Sequence, residues 1–161
     1  MSFDFSTLIT DRTQADVSRV QELASKIRSG TASESELAEF NSAAMKGAYN
    51  YNDLNRVGFA MQYLAERLKT FGYSVNIYPK TDWTELEWPT PSDMDLYLSN
   101  LAALRSAFVQ MQSTPNVPNS LNKMSIVEAN NIEKILEDID FLLTCSAQGW
   151  YFSGDLFSGE V

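Results

Sequence analysis

The 161-residue chain has no histidine and a single cysteine, Cys145, and its 7 glycines are scattered. Without an imidazole the usual general base near neutral pH is missing. Ser-His-Asp and Cys-His nucleophilic arrangements and every histidine-containing metal site are therefore excluded. One thiol builds neither a disulfide framework nor a thiolate zinc site, and Cys145 falls in an apolar run, where a cysteine reads as a small hydrophobe. The glycines form no phosphate-cradling loop, dinucleotide fingerprint or nucleophile elbow, so no cofactor is expected. Basic side chains are also scarce. Lys plus Arg number 12 against 21 Asp plus Glu, giving a net charge of −9 and a pI near 4.4, so attraction to a phosphate backbone is absent and nucleic acid is not an expected partner. No run approaches the roughly 20 apolar residues that span a bilayer, and residues 1–10 lack the basic start and apolar stretch of a secretory leader. Synthesis in the cytoplasm without membrane insertion is the expectation.

What is present has ordinary globular proportions, 44% hydrophobic and 20% charged residues, in a length that suits one domain. Residues 1–10 form an apolar arm carrying Phe3, Phe5, Leu8 and Ile9. Thr13 and Asp16 have capping-box spacing and open a helix with Val17, Val20, Ala24 and Ile27 on one face, stopped at Gly30. Ser33 and Glu36 repeat the signal for a short second helix, inward face Leu37, Phe40 and Ala44, ending near Gly47. The third helix has the most regular stripe, Leu54, Val57, Met61, Leu64, Leu68 and Phe71, before Gly72. Residues 73–78 then alternate with period two and residues 84–88 do so more weakly, which reads as a hairpin near 73–88. Beyond Pro89-Thr90-Pro91, with Ser92 as cap, Met94, Leu98, Leu101, Leu104, Phe108 and Met111 define a fourth helix. A loop with Pro115 and Pro118 leads to Ser125 and Glu128, which open a last helix with Ile132, Ile135, Leu136, Ile139, Leu142 and Leu143. Each stripe needs a partner face. The expected fold is mainly α: an antiparallel bundle of about five helices over 11–149, with a small β-hairpin and an aromatic tail at 150–161.

That tail repeats Phe-Ser-Gly-Asp as Phe-Ser-Gly-Glu and concentrates Trp150, Tyr151, Phe152, Leu156 and Phe157 among glycines that weaken helix and strand alike. Together with Phe3 and Phe5 these are the candidate partner-binding residues. A second set, Tyr49, Tyr51, Trp83 and Trp88, suits ligand contact, because Trp83 and Trp88 flank acidic residues and could stack a sugar ring. The architectural alternative has Trp88 covering the open end of the bundle. Asp53, Asp82, Glu85, Glu87, Asp93 and Asp95 are the carboxylates from which an acid–base pair could be drawn, although caps and solvated faces account for them more simply. Glu133, Glu137, Asp138 and Asp140 read as a solvated acidic face of the last helix.

Four stretches carry a resemblance: 9–17 (ITDRTQADV), 46–57 with Lys46-Gly47-Ala48-Tyr49-Asn50 and Asp53-Leu54-Asn55-Arg56-Val57, 80–84 (KTDWT), and 151–156 (YFSGDL). Across nearly the whole chain they resemble a module of prophage-encoded proteins of Gram-positive bacteria, often found beside tail or baseplate genes. The resemblance implies a virion tail or tail-like particle as the setting, with other subunits, or further copies of the chain, as partners. It implies no catalytic residue. Physically, Asp11, Arg12, Asp53, Arg56, Lys80, Asp82 and Trp83 read as polar clamps fixing loops to the bundle. Two functions stay open: a non-enzymatic structural and interaction protein docking on neighbouring subunits, or a carbohydrate- or host-surface-binding module. An acidic-pair glycoside hydrolase is a distant third.

Overall fold

Reciprocal capping opens the helices. Thr13 and Ser33 accept from the backbone N–H three residues on, while Asp16 and Glu36 reach back to the cap, opening α1 (Gln14–Ser29) and α2 (Glu34–Asn41). Asn50 with Asp53 opens α3 (Tyr51–Thr70), and Thr90 with Asp93 opens α4 (Pro91–Ala107). Ser125 and Glu128 exchange the same two bonds at the start of α5 (Ile126–Gly154). The cap of α4 is Thr90 rather than Ser92, because Pro91 fits the first helical position, where its missing N–H is not needed. Gly30 at φ 71° and Gly72 at φ 87° turn the chain out of α1 and α3 in the left-handed conformation. The computed structural model describes residues 2–42, 44–122 and 124–154, the side chains of 150–154 excepted.

The core is the three stripes of α3, α4 and α5. Val57, Met61, Leu64, Leu68, Leu101, Leu104, Ile132, Ile135, Leu136 and Leu143 are fully buried against one another. Side-chain bonds fix how these helices run. Arg56 meets Glu133 near the start of α5, and Arg67, three turns later on α3, meets Asp140 and Thr144. Tyr97 near the start of α4 bonds Tyr49 just ahead of α3, and Phe108 after α4 packs its ring edge-on against Tyr73 beyond α3. So α3, α4 and α5 run parallel, not antiparallel. The connections make this possible: residues 71–90 and 108–125 are long enough to travel back along a helix and start the next one at the same end. α1 and α2 form an antiparallel pair, held by Arg19–Glu39 and Lys26–Glu36.

No strand occurs among the described residues, so the hairpin at 73–88 is not formed. Val75 and Ile77 pack their side of the alternation against the core at α3, with Gln62 Nε2 donating to the Pro79 carbonyl, so a helix takes the place of the second strand. Gly58 sits where a Cβ would come within 2.5 Å of the Lys80 carbonyl, which lets the returning chain lie on α3. Other expectations also change. α2 ends at Asn41, not near Gly47, so Ala44 lies beyond it, and both Leu37 and Ala44 are exposed. In α1 the fully buried side chain is Leu23, while Val17, Val20, Ala24 and Ile27 are half-buried. Cys145 is exposed, not a packed hydrophobe. Residues 150–154, expected to begin the tail, continue α5. Leu156 and Phe157 lie outside the described residues.

Candidate functional site

At the end of the bundle where α3, α4 and α5 begin, four charged side chains gather. Arg12 Nη2 donates to Asp53 Oδ1 at 2.9 Å and to Glu133 Oε1 at 2.6 Å, with the Arg12 side chain 3% exposed. Arg56 donates to Glu133 through Nη2 at 2.8 Å and Nε at 3.0 Å, and also to Asp53. Two guanidinium groups thus balance two carboxylates, which is the condition for keeping ions in a dry interior. The cluster anchors the arm: the Ile9 N–H donates to Glu133 Oε2 at 2.7 Å, Arg12 Nη1 to the Ile9 carbonyl at 2.6 Å, and Asn130 pairs with both backbone groups of Arg12. Arg12 also lies 5.2 Å from the Tyr49 ring centroid, and the Tyr49 and Tyr97 hydroxyls bond at 2.6 Å. Burial pushes both phenols up, so they stay neutral. The acidic face expected on α5 is therefore not solvated as a whole. Glu133 and Asp138 are buried, and Asp138 accepts from Thr114 Oγ1 at 2.8 Å and sits 2.9 Å from Lys134 Nζ.

The returning segment is braced onto this frame. Asn55 bonds both the N–H and the carbonyl of Trp83, each at 2.8 Å, and Trp83 is buried. Lys80 Nζ lies 4.2 Å from the Trp83 ring centroid and pairs with Glu87, which is held below the usual carboxylate range by that lysine and by the Thr84 N–H. The Glu87 N–H in turn donates to the Thr84 carbonyl at 3.2 Å, closing a tight turn at 84–87. That turn displays Leu86 at 83% exposure, and Trp88 just beyond it is 88% exposed. Trp88 therefore does not cover the end of the bundle; Trp83 is the tryptophan that packs there. Between the turn and the start of α3 lies a cleft of about 270 Å³ whose walls include Tyr49, Tyr51, Trp83, Trp88, Glu85 and Glu87. All four ligand-contact candidates meet in it.

The partner-binding candidates are more dispersed. Phe3 and Phe5 are half-buried against the chain's own core, with ring centroids 4.9 Å apart and Phe5 5.7 Å from Tyr63, so the N-terminal arm closes on its own bundle instead of reaching out. Trp150, Tyr151 and Phe152 continue the backbone of α5, with side chains outside the described set. Among the acid–base candidates, Asp53 is locked in the ion cluster, and Asp93 is held below its usual range by the bonds it accepts from the Thr90 hydroxyl and N–H. Asp82, Glu85 and Asp95 are exposed. Burial pushes the Asp140 carboxyl up against the pull of Arg67, but Asp140 does not line the cleft.

Among the described residues there is no group of three or more Asp, Glu or Cys side chains arranged to hold a metal ion, and no helix is long and apolar enough to cross a membrane. Sequence reasoning missed the burial of Glu133 and the pairing of Arg12 with it. The available signals were Glu133 lying between Ile132 and Ile135, and a lone arginine ending an apolar arm. Comparison with protein families, with curated proteins and with solved structures finds no match to the chain.

Proposed function

We propose that this chain is a non-enzymatic structural and interaction protein that docks on neighbouring subunits, in a bacteriophage or prophage-derived tail, baseplate or similar particle. The observation carrying the docking role is the exposure of Leu86 and Trp88 on a turn that Lys80, Glu87 and Asn55 hold rigid. Large apolar side chains fixed in water beside a polar rim mark a contact surface, since a flexible loop could fold them away. The particle setting rests on the resemblance in 9–17, 46–57, 80–84 and 151–156. Residues 150–161 are a second docking element, by virtue of their aromatic content. The test is sedimentation of induced lysates from a host carrying the encoding prophage. The chain is expected in the particle fraction, and the pair Leu86→Ser, Trp88→Ser is expected to move it to the free fraction with its helical circular dichroism intact. A wild-type chain found only as free protein would sink the reading.

A second reading, a carbohydrate- or host-surface-binding module, is favoured by the convergence of Tyr49, Tyr51, Trp83 and Trp88 on one cleft. A glycan array probes it: signal lost on Trp88→Ala supports it, and a blank array removes it.

A further inference from the structure

We propose that the cleft between the start of α3 and the turn at 84–87 binds an organic cation, an alkylated ammonium or a guanidinium group. The proposal rests on the interaction reading above and names the chemical group which that surface recognises. Three features of the cleft converge on this ligand class.

Its walls are aromatic on several sides, with Tyr49, Tyr51, Trp83 and Trp88 around about 270 Å³, a space suited to a small headgroup or the end of one side chain. Aromatic faces attract a positive charge through their quadrupole, most strongly where tryptophan and tyrosine surround it. The chain already uses this attraction twice, since Lys80 lies over the Trp83 ring and Arg12 over the Tyr49 ring, and neither cation lines the cleft. Among the four rings, Trp88, at 88% exposure, is the one most open to an external group.

The second feature is charge. Glu87 is paired with Lys80, but no ion pair involves Glu85 among the described residues, so the lining carries one uncompensated carboxylate and no basic side chain. An anion would meet repulsion there, whereas a cation gains both the ring faces and Glu85. The net charge of −9 adds a favourable long-range field.

The third feature is rigidity. The Asn55–Trp83 bond pair and the Thr84–Glu87 turn hold the walls in place before any ligand arrives, so little ordering accompanies binding. A neutral sugar could stack on Trp88 and donate a hydroxyl to Glu85, but it carries no charge to meet the carboxylate and the ring quadrupoles.

The experiment is NMR titration of the full chain with tetramethylammonium, arginine methyl ester and N-acetylglucosamine in parallel, following the tryptophan indole N–H signals. Both cations are expected to saturate shifts at the Trp83 and Trp88 indoles with millimolar affinity. Trp88→Ala is expected to weaken them about fivefold, the share of one exposed cation–π contact. Glu85→Gln, a fully surface change that leaves folding intact, is expected to weaken the cations more than the sugar, because only the cations lose a charge–charge attraction. If neither cation produces saturable shifts, or if Glu85→Gln leaves cation affinity unchanged, the proposal is overturned. Saturation by the sugar alone also overturns it and favours the glycan reading. A chain that binds no cation yet still sediments with particles would refute this inference and leave the docking role standing. If one cation alone binds, the proposal holds and the headgroup is identified.

Discussion

Arg12 is held by more of the molecule than any other side chain described above. Its guanidinium touches Asp53 on α3, Glu133 on α5 and the Ile9 carbonyl of the arm, while Asn130 grips its backbone. Replacing it with methionine keeps the stem but leaves two buried carboxylates sharing Arg56. Breaking a buried pair in this way costs about 3–5 kcal/mol, because the abandoned charge cannot reach water. Urea unfolding of Arg12→Met should show that loss with an unchanged slope, and a loss below about 1 kcal/mol would mean the cluster is wet. Arg12→Lys should recover only part of it, since one ammonium cannot reproduce the fork that spans both carboxylates. The polar-clamp reading of Asp11, Arg12, Asp53 and Arg56 was legible in the sequence, because each lies at a helix start. The other half of the clamp was not. On α5, Glu133 is flanked by the apolar stripe, and the usual assignment of charge to the solvent side fails because its partner is 121 residues away along the chain.

Among the elements, the α1–α2 pair is the one most dependent on charge. Leu23 is its fully buried side chain, its other apolar side chains are at most half-buried, and Arg19–Glu39, Lys26–Glu36 and the caps at Thr13 and Ser33 add to its hold. Lys26, followed by the Ser33 N–H, holds the Glu36 carboxyl down to about 2 from its ordinary 4.5, and Asp16, Glu22 and Glu39 are lowered as well. For a carboxylate depressed by folding, the stabilisation is complete above the ordinary value and disappears as pH falls through the folded value. The helix pair should therefore loosen between about pH 4.5 and 2. Amide exchange followed by NMR should show residues 14–41 losing protection in that window ahead of residues 51–70. Simultaneous loss in both would show that the pair is not an independent unit. The stripes of α3, α4 and α5 were readable because each buries a regular arc. The segment 73–78 misled for the same reason that it packs: alternating Val75 and Ile77 need an apolar surface on one side, and α3 supplies it as well as a strand would. Periodicity specifies that a face is covered without specifying what covers it.

At the scale of the whole molecule, the fully buried core extends along α5 as far as Leu143 among the described side chains. Truncation after Gly149 should leave a cooperative thermal transition within about 2 °C of the full chain, checked by circular dichroism, while removing residues 150–161 from the particle contact. A large fall in Tm would show instead that these residues close on the bundle.

The parallel course of α3, α4 and α5 has one more consequence. In an antiparallel bundle the peptide dipoles of neighbouring helices cancel, whereas here they add. Each helix start contributes roughly half a positive charge in its backbone, which first-turn carboxylates at that shared pole offset. Asp53, Asp93 and Glu128 occupy the first turns at that pole, and Arg67, Lys69 and Arg105 the last turns of α3 and α4 at the other. The helix trio is thus electrically directed, with complementary side chains at its two ends, and successive copies or neighbours meet a different field at each pole.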